Sequence, residues 1–391
     1  MVEMQKGHFP LEQFKELKTP FYYYNTDVLK RTLDLVCKEA KVFDQSCVHY
    51  ALKANTNPKV LTLIQSYGLG ADCVSGGEIQ AALNAGFNPR KIVFAGVGKA
   101  DWEIELALQH DIFCFNVESK PELEVINELA SKHNKIAQVC LRVNPNVGAH
   151  THANITTGLQ ENKFGIGLTE LKEVIDYVLE AKSIHWIGLH FHIGSQIIDA
   201  GDFVALCNRI NTIQAYLEAH RIQVGHINVG GGFGIDYANP NRQPIPDFKS
   251  YFETYDSRLK LRPHQTIHFE LGRSIVGQCG SLISRVLYVK RGAKKQFVIL
   301  DAGMTELIRP ALYQAYHKIE NISSDKEIES YDVVGPICES SDVFGKSIDL
   351  NKTNRGDFIA IRSAGAYGEV MASHYNCREL PQAYISNDFE D

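Results

Sequence analysis

The chain lacks the usual signs of a stapled, metal-bound or membrane-embedded protein. Its nine cysteines include no C-x-x-C pair and no finger-like spacing, so neither a disulfide framework nor a zinc module is expected. An odd count without a framework fits a reducing compartment, and the cytoplasm is the expected location. The stretch from Met1 to Lys18 mixes acids and bases with no apolar centre, so no secretory signal is read there. No apolar run approaches the roughly 20 residues of a membrane span, and no membrane partner is expected. Basic excess is also missing. The formal net charge is −6, which disfavours nucleic acid as a partner. Internal repeats and low-complexity segments are absent.

What is present is an ordinary globular composition, 44% hydrophobic and 22% charged, in 391 residues. That length makes two domains the prior. From about residue 26 to 275, short apolar runs alternate with helical patterns. The runs are Val48–Leu52, Leu69–Val74, Ile92–Ala95, Ile112–Val117, Ile136–Val143, Trp186–His192, His226–Val229 and Ile267–Glu270. Most are continuous rather than alternating, as parallel strands buried on both faces are. Val28, Leu29, Leu33, Val36, Ala40 and Phe43 fall at helical spacing before the first of them. Ser119 to Glu122 reads as a capping box, and 169–181 and 202–219 are helical by spacing. Eight strand–helix units predict an α/β fold, a TIM-like (β/α)8 barrel over residues 26–275. After residue 276 the runs Gly280–Val289, Phe297–Leu300, Tyr331–Val334 and Asp357–Arg362 are separated by Gly, Pro, Asn and Asp. They predict a C-terminal antiparallel β-sheet domain, 276–391, completed by the N-terminal segment 1–25 through Phe21–Tyr24. The polar, aperiodic stretch 144–163 reads as a long loop at the barrel mouth.

Barrel active sites sit where strands end. The first strand delivers Lys53, which desolvation pushes toward a neutral, nucleophilic amine able to form an imine. A solvated surface lysine is the ordinary alternative. The second strand ends at Asp72, followed by Ser75-Gly-Gly-Glu78. The sixth delivers His190 and His192, whose i, i+2 spacing puts both on one face. No third ligand with suitable spacing follows, so no metal is expected, and an imidazole lying against an aromatic cofactor suits His192 better. The seventh ends in Gly230-Gly-Gly232-Phe-Gly234. This cluster comes too late in the chain, and is spaced wrongly, for a dinucleotide fingerprint. It suits a phosphate, whose site in such barrels favours the loops after the last two strands. The eighth delivers Glu270, then Gly272 and Arg273: a carboxylate for a ring nitrogen and a fork for an anion, or simply an internal salt bridge. The C-terminal region adds Arg309-Pro-Ala-Leu-Tyr313, Cys338-Glu339-Ser-Ser-Asp342 and Gly365-Ala-Tyr367-Gly.

These motifs, in this order and over nearly the whole chain, resemble the alanine-racemase-like, fold type III pyridoxal-phosphate decarboxylases, and within them the branch acting on diaminopimelate. The resemblance implies a pyridoxal 5'-phosphate held by Lys53, with His192 stacked on its ring and Glu270 at its ring nitrogen. Asp72, Ser195, Gly231, Gly232, Gly272, Arg273 and Tyr367 are then expected around the cofactor. Arg273, Arg309, Tyr313, Glu339 and Tyr367 are expected at the substrate, and Cys338 as proton donor. It implies decarboxylation of meso-2,6-diaminopimelate to L-lysine in a homodimer whose active sites are shared through Cys338 and Glu339. The other readings are an ornithine, arginine or carboxynorspermidine decarboxylase, a non-catalytic binding homologue, and a phosphosugar barrel. One departure stands out: the family's Glu-Pro-Gly-Arg is here Glu270-Leu271-Gly272-Arg273. Leucine restores a backbone N–H and frees φ, and with Glu270 and Arg273 kept, activity is expected to survive.

Overall fold

The structure, a computed structural model, describes residues 6–147 and 163–389. The expected 144–163 loop, with Gly148, His150, His152 and Gly158, lies mostly outside them. The chain divides into two compact units. One comprises Met1–Thr32, Ile235–Pro246 and Arg273–Asp391, the other Leu33–Gly234 and Asp247–Gly272.

Strands are numbered along the chain from β1 (Phe21–Tyr24), which belongs to the first unit. The second unit is a closed barrel of eight parallel strands: β2 (Ser46–Ala51), β3 (Gly70–Cys73), β4 (Ile92–Phe94), β5 (Cys114–Val117), β6 (Ala137–Arg142), β7 (Ile184–His190), β8 (His226–Asn228) and β9 (Thr266–Leu271), with β9 pairing back on β2. All eight expected runs became strands, but some leave the ladder early. β2 ends at Ala51, so Lys53 stands in a one-turn 3₁₀ helix, Leu52–Ala54. β7 ends at His190, so His192 lies in the following loop and does not share a strand face with it. Phe191 and Ile193 in that loop are fully buried. An apolar run therefore outlasts the strand, because burial does not require ladder pairing.

The helices follow their caps. Ser75 accepts from the Glu78 N–H at the start of Gly76–Asn84. Ser119 does the same for Glu122 at the start of Lys120–Lys132. The reciprocal half of that expected capping box is displaced by one residue: the Glu122 carboxylate accepts from the N–H of Glu118 instead. The two later helices run Leu171–Glu180 and Ala200–Ala219. Outside the strands, rings of Phe43, Phe203, Phe233, Tyr251, Phe252 and Tyr255 interlock with Phe269 of β9; Phe252 meets Phe269 edge-on at 4.9 Å. Such pairs add directional packing to apolar burial.

The first unit carries an eight-stranded sheet. Its strands are β1, β10 (Gly280–Arg291), β11 (Gln296–Leu300), β12 (Ile319–Asn321), β13 (Ile328–Val334), β14 (Val343–Asn351), β15 (Phe358–Ile361) and β16 (Gln382–Ile385), in the order β12-β15-β10-β11-β13-β14 with β1 between β10 and β16. The N-terminal strand does complete this sheet. The sheet is mixed rather than purely antiparallel, since β11–β13 and β1–β16 run parallel. The connections are long enough for such crossovers. Tyr22 and Tyr24 are buried because their hydroxyls find partners, the Glu306 carbonyl at 2.6 Å and the Glu369 carboxylate at 2.6 Å.

This division differs from a boundary at 275/276. The helix Arg273–Val276 and the segment 235–246 group with the sheet unit. Gln278 is one reason: its amide donates to the carbonyls of Asp236 (3.1 Å) and Gln243 (2.7 Å).

Candidate active site

In the barrel unit, the strand ends converge on two carboxylates. Glu270, on β9, is buried and fully engaged. Its Oε1 accepts from the amides of Asn116 (3.0 Å) and Asn228 (2.8 Å), and its Oε2 meets His190 Nε2 at 3.0 Å. Burial opposes its charge, but His190, then Lys53, outweigh that and hold its carboxyl well below the usual range. Asp72, on β3, is fully buried with Oδ2 3.2 Å from Lys53 Nζ. Burial and the neighbouring Glu270 push the Asp72 carboxyl up against the pull of Lys53 and His190. The Lys53 side chain is 37% exposed and ion-paired with Asp72.

His192 is fixed from the glycine cluster, where the Gly231 N–H donates to its Nδ1 at 3.3 Å. Burial first, then Arg142 and Lys53, push the ring's pKa well down. The imidazole is therefore neutral, with Nδ1 the acceptor and the proton on Nε2. The glycines are needed where they stand. A Cβ on Gly231 would collide with the Glu270 carbonyl, and one on Gly230 with the Phe191 carbonyl. Gly232 has φ +95°. The loop holding Ser195 is stitched to this cluster by Ile197 N–H to Gly232 O (2.8 Å) and Gly234 N–H to Ile197 O (2.9 Å). Gly272 packs between the methyls of Ala51 and Ala54, which a Cβ would meet at 3.1 Å. Leu271, in place of proline, closes β9 fully buried, in register with Tyr50 of β2. Behind the site, Arg142 is ion-paired with Glu118, whose other oxygen accepts from the Gly165 N–H at 2.8 Å. Among the described residues, Asp72 Oδ1 and His190 Nδ1 are buried without a partner. Unsatisfied buried polar atoms beside an anion-fitting glycine turn suit a polar, phosphate-bearing ring.

The sheet unit holds a cationic cluster of its own. Arg273 and Arg309 are both buried, and both donate to the hydroxyl of Tyr237, at 2.6 and 2.7 Å. Arg309 also donates to His317 Nε2 at 3.2 Å, while His317 Nδ1–H donates to the Arg362 carbonyl. Burial, then Arg309, pushes the His317 ring down to about 3, so it stays a neutral acceptor. Tyr367 lies over the Arg273 guanidinium at 4.8 Å and holds φ +56°, an uncommon conformation for tyrosine. Tyr313 ends the short helix that Arg309 begins. Cys338 and Glu339 are exposed, and Glu339 accepts from the Tyr375 hydroxyl at 2.7 Å.

Residues 31–277 match the family model of the pyridoxal-dependent decarboxylases, specifically their pyridoxal-binding domain. The chain belongs to the pyridoxal-dependent decarboxylase family. It is 70% identical over 383 residues to the diaminopimelate decarboxylase of Bacteroides thetaiotaomicron, covering 98% of this chain and 99% of that one. The crystal structure of the Helicobacter pylori diaminopimelate decarboxylase complexed with L-lysine superposes with a TM-score of 0.90 at 43% identity, over 97% of this chain and 94% of that one. A lysine/ornithine decarboxylase from Vibrio vulnificus reaches 0.83 at 21% identity, a likeness of fold alone.

Of the residues the sequence motifs singled out, the barrel brings together Lys53, Asp72, His192 and Glu270. Arg273, Arg309 and Tyr367 cluster in the other unit. Asn116, Asn228, Tyr237 and His317 were missed. A polar residue inside an apolar strand run was the available signal for the two asparagines. Nothing local marked Tyr237 or His317.

Proposed function

We propose that this chain decarboxylates meso-2,6-diaminopimelate to L-lysine and carbon dioxide, the last step of lysine biosynthesis, using pyridoxal 5'-phosphate. The buried, anionic Glu270 held by three donors carries this reading, because a fixed negative charge there maintains a proton on a pyridine nitrogen. The 70% identity to a diaminopimelate decarboxylase supports the substrate. The bound cofactor supplies an electron sink for the Cα–carboxylate bond.

The protein's residues do the rest. Lys53 would hold the cofactor through its side-chain amine. Asp72 orients the Lys53 nitrogen. The neutral His192, placed by the Gly231 N–H, would hold the cofactor's ring. By the family resemblance, Ser195, Gly231, Gly232 and Gly272 of the barrel unit would bind the phosphate or its approach, a role the resemblance also gives to Arg273 and Tyr367. Arg273, Arg309, Tyr313, Glu339 and Tyr367 take the charged groups of the substrate, whose far end carries both an ammonium and a carboxylate. A substrate lacking that carboxylate would leave an arginine unpaired, and a site built to pair charges rejects it. Cys338 delivers the proton to Cα.

The exposure of Cys338 and Glu339, with the family resemblance, supports a homodimer in which each chain lends these residues to its partner's site. Nine unpaired cysteines support a cytoplasmic location. No helix among the described residues is long and apolar enough to cross a membrane.

Carbon dioxide release from meso-diaminopimelate, with product analysis over a panel of diamino acids, tests the activity. Borohydride treatment should fix the cofactor to Lys53. A protein that takes up no cofactor and releases no carbon dioxide overturns the reading. Mixing Cys338→Ala with Lys53→Ala chains should restore part of the lost activity; no recovery after demonstrated subunit exchange removes the shared sites.

A further inference from the structure

The barrel interior holds a second cluster of ligating side chains. Cys47 and His49 are two residues apart on β2 and share its inner face. His268 lies on the adjacent β9, in register with Cys47. One donor atom from each of the three lies within 4.8 Å of the other two. His49 Nε2 and His268 Nδ1 are 2.9 Å apart. Two imidazoles bound to a tetrahedral ion at about 2.05 Å place their nitrogens about 3.3 Å apart, so an ion enters between these rings with a small spreading.

The outer contacts are those of metal-binding histidines, which donate their remote N–H to a carbonyl or another acceptor. His49 Nδ1 faces the Lys91 carbonyl at 3.0 Å, and that carbonyl can only accept. In the neutral ring the proton is therefore on Nδ1, and the Nε2 lone pair points at His268. His268 Nε2 stands 2.9 Å from His226 Nδ1, so a change of tautomer frees its Nδ1 while its remote N–H stays bonded. Cys47 lines a cavity of about 550 Å³ together with Cys37, Ser46, Val48 and Lys91.

We propose that Cys47, His49 and His268 form a site for one divalent transition ion of the zinc class, with water from the cavity in the fourth position. One thiolate and two imidazoles select a borderline ion over magnesium or calcium. The ion would tie β2 to β9, the seam at which the barrel closes, and would stabilise the folded state as any ligand specific to it does.

The test uses the holoenzyme, stripped of metal with a chelator and titrated with Co²⁺. Wild type is expected to bind one equivalent per chain and to develop the visible bands of a tetrahedral thiolate site, to the red of the cofactor. Zn²⁺ is expected to displace the Co²⁺ and raise the melting temperature. Cys47→Ser, at the rim of the cluster, should bind Co²⁺ at least tenfold more weakly and lose the Zn²⁺-dependent rise. Cys37→Ser, which removes a thiol from the same cavity, should retain both. Wild type without stoichiometric binding, unchanged binding in Cys47→Ser, or loss in Cys37→Ser would each overturn the proposal.

Discussion

His190 Nε2 stands 3.0 Å from Glu270 Oε2, and both side chains are buried. A buried carboxylate in the anionic form needs such partners, because desolvation alone would protonate it. Glu270→Gln retains the shape and removes the charge. It is expected to lower the rate of carbon dioxide release by about 100-fold or more, the scale of a lost proton-holding group. Steady-state kinetics on cofactor-loaded protein checks this. A loss below tenfold would remove Glu270 from the chemistry.

Glu78 provides a pH signature in the barrel unit. Burial, only partly offset by the Val74 N–H, raises its carboxyl from 4.5 to about 7. A carboxyl with a raised folded pKa binds more protons folded than unfolded between those values. Its contribution to stability is therefore present below 4.5 and is lost as pH rises through about 7. Glu78→Gln should remove this loss, gaining about 1–3 kcal/mol over wild type at pH 8 relative to pH 5. Urea unfolding at the two pH values measures the difference, and an equal change in both proteins would refute it.

Gly231→Ala would place a methyl against the Glu270 carbonyl, so the backbone must shift, at a cost of about 1–3 kcal/mol. The Gly231 N–H that places His192 moves with it. Affinity for pyridoxal 5'-phosphate, followed by absorbance, is expected to fall at least tenfold. Binding as tight as wild type would show that the turn tolerates a side chain.

Tyr237→Phe leaves Arg273 and Arg309 without their shared hydroxyl. Hydrogen bonds to charged groups contribute about 1.5–3 kcal/mol each. The expected result is a KM raised about tenfold or more with a smaller change in kcat, since the ring remains and only the alignment of the cations relaxes. An unchanged KM would show that the arginines hold their places without the phenol.

The sequence by itself determined the order and kind of elements, because continuous apolar runs separated by 3.6-residue patterns specify buried parallel strands and their covering helices. It also determined the chemical endowment, since Lys53, His192, Glu270 and the glycine turn follow strand ends that any such barrel gathers at one rim. Strand termini escaped it, as with His192, because a buried loop is as apolar as a strand. The parallel pairings β11–β13 and β1–β16 escaped it too, since local alternation does not encode strand direction. Only the tertiary structure decided which groups are partners. Asn116 and Asn228 reach Glu270 across 154 and 42 residues, and His49 reaches His268 across 219. Tyr237 joins two arginines whose positions in the chain give no sign of a common neighbour. Closing the barrel makes its first and last strands adjacent, and that closure, absent from any local window of residues, sets the charge on Glu270 and the surroundings of His268.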